Sequence, residues 1–266
     1  MLAQQRRQAI LDRVRTSGGA RVADLVRELG VSDMTIRRDL EVLAERGLVA
    51  KVHGGATVAG PGSTEEPGFA AKSARQQPEK EAIARRAARL VRPGTAVALS
   101  AGTTTWTLAR FLTDVPDLTV ITNSIGVADV FHRSPRADRT VVLTGGVRTP
   151  SDALVGPVAV AAIRGLHVDT LFLGVHGMSV RAGFTTPNLL EAETDRELVA
   201  SAHRLVVPAD HTKWDTVGIS TIAGLAEAHV VVSDSGLPEE AREELASQVG
   251  ELIITDPHQR NETVSS

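Results

Sequence analysis

The chain has 266 residues, 42% of them apolar, with 29 Lys plus Arg against 32 Asp plus Glu and no cysteine. That length suits two domains with cores of their own. The lack of cysteine excludes disulfides and thiolate-based metal or redox chemistry, in keeping with a reducing compartment.

No run in the sequence approaches the ~18 apolar residues of a membrane span, and the opening MLAQQRRQAILDRV lacks an apolar signal core, so a cytoplasmic protein is expected. The charge is uneven: residues 1–58 hold 10 Lys plus Arg and 7 Asp plus Glu, a surplus of +3, whereas the remainder carries −6. Such asymmetry points to nucleic-acid contact at the N-terminal end.

Ile10, Leu11 and Val14 sit at helical spacing until SGG at 17–19 stops the helix, and Val22, Leu25 and Leu29 mark the face of a second, shorter one. Gly30 and Val31 then make a tight turn. Ser32 suits the N-cap of a third helix, in which Ile36, Leu40 and Leu43 recur at i, i+4 and i+7 until Gly47 ends it. LVAKVHGGATV, residues 48–58, alternates about a glycine turn as a two-stranded hairpin does. Three helices followed by a hairpin predict a winged helix-turn-helix over 1–58.

On the third helix, at about 100° per residue, Leu40 and Leu43 fall within about 40° of Ile36, whereas Met34 and Arg38 lie within about 20° of the opposite direction. Arg37 stands beside them. The apolar stripe therefore turns Ser32, Met34, Thr35, Arg37 and Arg38 outward, at the end where such a helix enters a major groove. Arginine can grip guanine or phosphate with two parallel donors. Lys51 and His53 at the hairpin tip are expected to touch the neighbouring DNA backbone, and Arg6 and Arg7, read as lying ahead of the first helix, to add phosphate contacts. A purely local reading pairs the arginines with Asp39, Glu41 or Glu45 instead. The joint pattern of capped helix, short turn and basic hairpin favours double-stranded DNA as the partner.

AGPGSTEEPG, residues 59–68, replaces periodicity with glycine, proline and charge, and a linker is expected over 59–76. From 77 to 266 a helix over 78–91 leads into the apolar runs AVALSA, LTVITNS, TVVLTGG, DTLFLGVH, RLVVPAD and HVVVSD, separated by helix-like segments. The fold class that follows is α/β: an N-terminal winged helix-turn-helix joined to a larger α/β domain with a mainly parallel sheet.

Polar or glycine-rich loops recur at the C-terminal ends of these runs: Gly102 to Thr105, Thr122 to Ser124, Gly145 and Gly146, Gly174 to Gly177, and Asp210 to Lys213. Ligands collect at that edge of an open parallel sheet, so one shared pocket is expected. Gly102, Thr103, Thr104 and Thr105 precede a helix, where free N–H groups and hydroxyls suit a phosphate. Lys213 could neutralise that phosphate, and Asp210 could accept sugar hydroxyls. His167, His203, His211 and His229 lack helical pairing, so no metal site is expected. Trp106 and Trp214 lie beside the proposed loops and could report binding by fluorescence.

RRQAILDRVRTSGGARVADLVRELGVSDMTIRRDLEVLAERGLVAKVHGGA, residues 6–56, resembles the DNA-binding domain of the DeoR family of bacterial transcription regulators. SAGTTT, TNS, LTGGVR, LFLGVHGMS, the GFTT turn and ADHTKW resemble, in the same order, that family's effector domain, itself similar to pentose-phosphate isomerases. The resemblance implies effector contacts from Gly102, Thr103, Thr104, Asn123, Gly145, Gly146, Thr185 and Lys213. It departs at three places: Ser100-Ala101 stands where the family commonly has Asp-Ser, Asp195-Arg196 where it has Lys-Arg, and His176 where a second glycine is frequent. Ser100, Asp195 and His176 thus imply an altered effector, less strongly phosphorylated.

The function expected is a ligand-responsive repressor of carbohydrate-metabolism genes, binding operator DNA as a homo-oligomer under control of a sugar phosphate or related metabolite, with no cofactor. The alternative is an isomerase-like enzyme with an appended DNA-binding head, for which Glu193 or Asp210 would be the general base.

Overall fold

The computed structural model describes residues 3–17, 19–45, 48–52, 54–58 and 68–258. It divides into two compact units, Met1–Gly62 and Ser63–Ser266. His53 and Gly47 lie outside the described residues, and for Lys51 the backbone alone is described. Among the described residues no helix is long and apolar enough to cross a membrane.

The first unit, the head, runs α1 (Ala3–Ser17), β1 (Gly19–Arg21), α2 (Val22–Leu29), α3 (Asp33–Glu45), β2 (Val49–Val52) and β3 (Gly55–Val58). Ile10, Val14, Leu25, Ile36, Leu40 and Leu43 from the three helices close on Val49 and Ala56 of the strands in one apolar cluster. Gly30 makes the turn between α2 and α3 at φ 64°, a left-handed conformation that glycine adopts without the clash of a Cβ. The wing exceeds the expected hairpin: β1 adds to β3 antiparallel, giving the order β1-β3-β2. Three residues are too few for alternation to reveal such a strand, and the pairing depends on the glycine pair of the wing. A Cβ on Gly55 would lie 2.4 Å from the Ala20 carbonyl oxygen.

The second unit contains α4 (Phe69–Ser73), α5 (Gln77–Ala88), β4 (Ala96–Leu99), α6 (Thr103–Phe111), β5 (Thr119–Thr122), α7 (Ile125–His132) and β6 (Thr140–Leu143). It continues through β7 (Val147–Arg148), β8 (Leu154–Val155), α8 (Pro157–Ile163), β9 (Val168–Phe172), β10 (Gly177–Ser179), β11 (Gly183–Thr186) and α9 (Leu189–Ala200). β12 (Ala202–Pro208), β13 (Ser220–Ala223), β14 (Val230–Asp234), α10 (Glu239–Gln248) and β15 (Leu252–Thr255) complete it.

Seven strands form a parallel sheet of order β15-β14-β12-β9-β4-β5-β6. Successive residues along each strand point to opposite faces. Val97 and Leu99 accordingly join the cluster with Ile83, Leu108 and Phe131 from α5, α6 and α7, while Ala98 joins the one with Ile163, Leu198 and Leu245 from α8, α9 and α10. Beside this second cluster β10, β11 and β13 form a small antiparallel sheet, and β7 pairs with β8. GFTT is therefore strand β11 and not a turn. Its four residues are buried against neighbours distant in sequence, a tertiary effect that overrides glycine's local preference.

Residues 69–73, expected within the linker, are helical. Phe69 donates its N–H to the Pro150 carbonyl (3.1 Å), and the buried ammonium of Lys80 caps the other end by donating to the carbonyls of Lys72 and Arg75, each at 2.6 Å. Burial drives the Lys80 pKa down to about 8.

Candidate functional site

In the head, Ser32 Oγ accepts the Thr35 N–H at 3.3 Å, capping α3. Ile36, Leu40 and Leu43 are buried, whereas Ser32, Arg37 and Arg38 are exposed and Met34 is 79% exposed. Thr35 lies half-buried at the edge of that face, its hydroxyl 2.8 Å from that of Ser32. Arg37 pairs with Asp33 one turn earlier, Nε to Oδ1 at 2.5 Å, while Arg38 makes no hydrogen bond or ion pair among the described residues.

Asp39 serves neither of these arginines. It is 2% exposed and takes Arg6 Nε at 2.5 Å and Arg7 Nε at 2.8 Å. Arg6 and Arg7 therefore lie within α1 and clamp it to α3. The sequence reading of them as phosphate contacts ahead of the first helix is corrected by this buried carboxylate, which draws both guanidinium groups inward.

In the second unit the chain leaves β4 in one direction, toward β5 and β6, and leaves β9 in the other, toward β12, β14 and β15. A crevice opens at such a reversal, outside the carboxyl ends of the two strands. Ser100 sits at its floor, fully buried: its N–H donates to the Phe172 carbonyl (3.1 Å), and its Oγ accepts the Gly174 N–H (2.8 Å). Ser100 thus ties the ends of β4 and β9 together and does not line the crevice.

Gly102, Thr103 and Thr104 form one wall, at the first turn of α6. The N–H groups of that turn have no intrahelical acceptor. The hydroxyls of Thr103 and Thr104, both side chains more than nine-tenths buried, make no hydrogen bond among the described residues. Lys213 reaches the same crevice from the short 3-10 helix His211–Lys213, and His176 from the loop after β9. Lys72 and Phe69 of α4 close it on another side. Trp106 stands behind Phe69, ring edge to ring face at 6.1 Å, and Trp214 packs on the main core.

The remaining loop residues named from sequence support this wall from behind. Thr105 donates its hydroxyl to the Gly102 carbonyl (2.9 Å). Asn123 accepts the Ala101 N–H (2.8 Å) and donates to the Leu154 carbonyl (3.3 Å). Asp210, 1% exposed, accepts the Thr212 N–H (3.1 Å) and so caps the turn that carries Lys213. His211 Nδ1 meets Asp234 at 2.7 Å and anchors that turn further, the hydrogen bond raising the histidine pKa.

Thr185 donates to the Gly177 carbonyl and accepts the Gly218 N–H (2.9 Å); its neighbour Thr186 faces the crevice instead. Gly145 and Gly146 lie off the wall as well. A Cβ on Gly146 would come 2.6 Å from the Val155 carbonyl oxygen, so this glycine serves the packing of β7 on β8.

Of the α9 wall the sequence marked Asp195 alone, as a departure from the family pattern, and left Glu191 unmarked. Asn188 caps α9 by accepting the N–H groups of Leu190 and Glu191, which sets Glu191 at the crevice. Glu191 receives three hydroxyls: Thr149 at 2.7 Å, Thr186 at 3.1 Å and Ser151. One turn on, Asp195 is also buried on the wall, and burial, reinforced by Glu191, pushes its carboxyl well above the usual carboxylate range. Glu193 is exposed and absent from the wall. Among the described residues no group of His, Asp or Glu is arranged to hold a metal.

The family profile described as the DeoR-like helix-turn-helix domain matches residues 6–61, and the one described as the DeoR C terminal sensor domain matches 75–235. The chain belongs to the DeoR family. It is a DNA-binding transcriptional regulator whose second unit is the sensor.

Among its relatives, the uncharacterized HTH-type transcriptional regulator YgbI of Escherichia coli K12 is 36% identical over 96% of this chain and 98% of its own length. The HTH-type transcriptional regulator GlpR of Haloferax volcanii is 36% identical over 93% and 96%. The HTH-type transcriptional repressor CsqR of Escherichia coli K12 is 29% identical over 89% and 90%. Ribose 5-phosphate isomerase A of Methanocaldococcus jannaschii covers 52% of this chain and 54% of its own at 16% identity and a TM-score of 0.38, a likeness too slight to bear on activity.

Proposed function

We propose that the chain is a repressor of carbohydrate-metabolism genes, released or engaged by a sugar phosphate or related phosphorylated metabolite. In this reading residues 1–58 read DNA, 77–266 sense the ligand, and 59–76 join them, with α4 belonging to the sensor. Ser32, Met34, Thr35, Arg37 and Arg38 contact operator DNA through the exposed side of α3, Arg38 reading a base and Arg37 exchanging Asp33 for DNA. Lys51 and His53 contribute from the wing. One small head reads few base pairs, so the protein acts as a homo-oligomer on symmetric half-sites, in the cytoplasm.

The observation that carries the ligand class is the α6 wall. Helix N-terminal N–H groups and two threonine hydroxyls that have no partner among the described residues converge beside Lys213, a donor set that suits a phosphate. His176 adds a polar edge, and the α9 wall suits hydroxyl-bearing ligands. The related CsqR is a repressor, which supports the sign of regulation. Neither base considered for an isomerase faces the crevice, Glu193 being exposed and Asp210 turned into its own cap, which favours a sensor over the isomerase reading.

Selection of bound fragments from the source genome, repeated with a panel of sugar and polyol phosphates, tests this reading. One class of phosphate is expected to change fragment recovery and to raise the melting temperature of the sensor. Recovery and melting temperature unmoved by every member would sink it, and aldose–ketose interconversion by the purified protein would restore the enzyme reading.

A further inference from the structure

We propose that Asp195 determines which effector the crevice accepts: it selects a phosphorylated ligand that presents hydrogen-bond donors, hydroxyl or amine, to the α9 wall, and excludes one that carries a second acidic group there. This rests on the reading of the α6 wall as a phosphate site and adds what the rest of the ligand must be.

Two carboxyl groups stand one helical turn apart on α9. Residues four apart on a helix share a face, so Glu191 and Asp195 stand on the same side of α9, and both line the crevice. Glu191 is completed by the protein, since the hydroxyls of Thr149, Ser151 and Thr186 all donate to it. Asp195 is not. It is 7% exposed, and among the described residues its carboxyl takes part in no hydrogen bond and no ion pair.

Native structures seldom leave a buried polar group without a partner, because the water lost on burial is not replaced. Among the described residues no neighbour supplies one, and Asp195 lines the crevice. A ligand hydroxyl or ammonium arriving there supplies the missing partner. A ligand carboxylate or second phosphate instead meets the negative charge of Glu191 on the same face of α9, and Asp195 accommodates it only while its own carboxyl keeps a proton. The position thus discriminates by repulsion as well as by attraction.

The test uses the full chain and calorimetric titration with sugar and polyol monophosphates from triose to hexose, each matched to a counterpart with a second phosphate or a carboxylate. The monophosphate that binds is expected to bind at least about tenfold more tightly than its counterpart. Asp195→Lys is expected to invert that preference. Asp195→Asn keeps the shape of the side chain, and it is expected to reduce the discrimination against the acidic counterpart with folding, checked by thermal melting, retained. Glu193→Gln, exposed on the same helix, is expected to leave both affinities as they are. Equal affinity for the two kinds of ligand, or discrimination unchanged in Asp195→Asn, would overturn this inference and leave the phosphate site standing. Silence from every phosphorylated ligand would overturn the phosphate site itself.

Discussion

The head and the sensor solve opposite problems. The head buries a small apolar cluster and turns the residues proposed to meet DNA outward on a single helix, so Ser32, Met34, Arg37 and Arg38 follow one another in sequence as they do in space. The sensor works inward. Its crevice is walled by α4, the first turn of α6, the loop after β9, the first turns of α9 and the turn bearing Lys213, elements that meet where the strand order of the parallel sheet reverses between β4 and β9. A surface for a long polyanion can be read from one periodic segment, whereas a cavity for a small ligand needs donors from several.

The largest effect expected on this contrast comes from Asp39, the buried carboxylate of the head. Asp39→Ala removes the acceptor of Arg6 and Arg7. Because both arginines can turn to water once it is gone, a loss of about 3 kcal/mol is expected, at the low end for breaking a buried ion pair. Thermal denaturation should show the head transition lowered and the sensor transition unmoved. Coincident shifts of both transitions would mean that the two units do not unfold separately.

Arg38→Ala should leave both transitions in place and weaken operator binding by about 2 kcal/mol, with specificity relaxed at one base pair. Titration against a set of single-base operator variants measures it. Uniform weakening across the set would reassign Arg38 to phosphate.

In the sensor, Ser100→Ala strips the acceptor from the buried Gly174 N–H, and about 1 kcal/mol of sensor stability should go with it. Effector affinity is expected to fall in parallel, since the same hydrogen bond aligns the two strand ends that frame the crevice, while DNA binding without effector holds. Unaltered effector affinity in this variant would show that the crevice does not depend on the β4–β9 tie.

A further effect is a pH dependence confined to the sensor. Lys80, ordinarily near 10.5, is held at about 8 in the folded protein. Between those values the unfolded chain binds more protons than the folded one, so this group makes stability rise with pH across that window and adds nothing to the slope well below 8. The melting temperature of the wild type measured against Lys80→Met should gain across the window; a flat difference would mean that the lysine is not desolvated.

The sequence by itself determined the helix-turn-helix, the outward face of α3 and six of the seven parallel strands, because these follow from the periodicity of helix and strand and from turn chemistry. β15, β1 and the two small antiparallel sheets escaped it, being short or without regular alternation. It also picked out Gly102, Thr103, Thr104, His176 and Lys213 by loop position. What only the tertiary structure decided is which polar groups face the crevice and which are consumed in building it. Ser100, Asn123 and Asp210 have the same chemistry as the lining residues, but their oxygens are taken by Gly174, Ala101 and Thr212. Glu191 lies inside a helix with no local mark of function, and Asp195 beside it was marked only by its departure from the family pattern. Hydrogen bonds between residues far apart in the chain complete one set of groups and leave the other open, and no local pattern encodes that division.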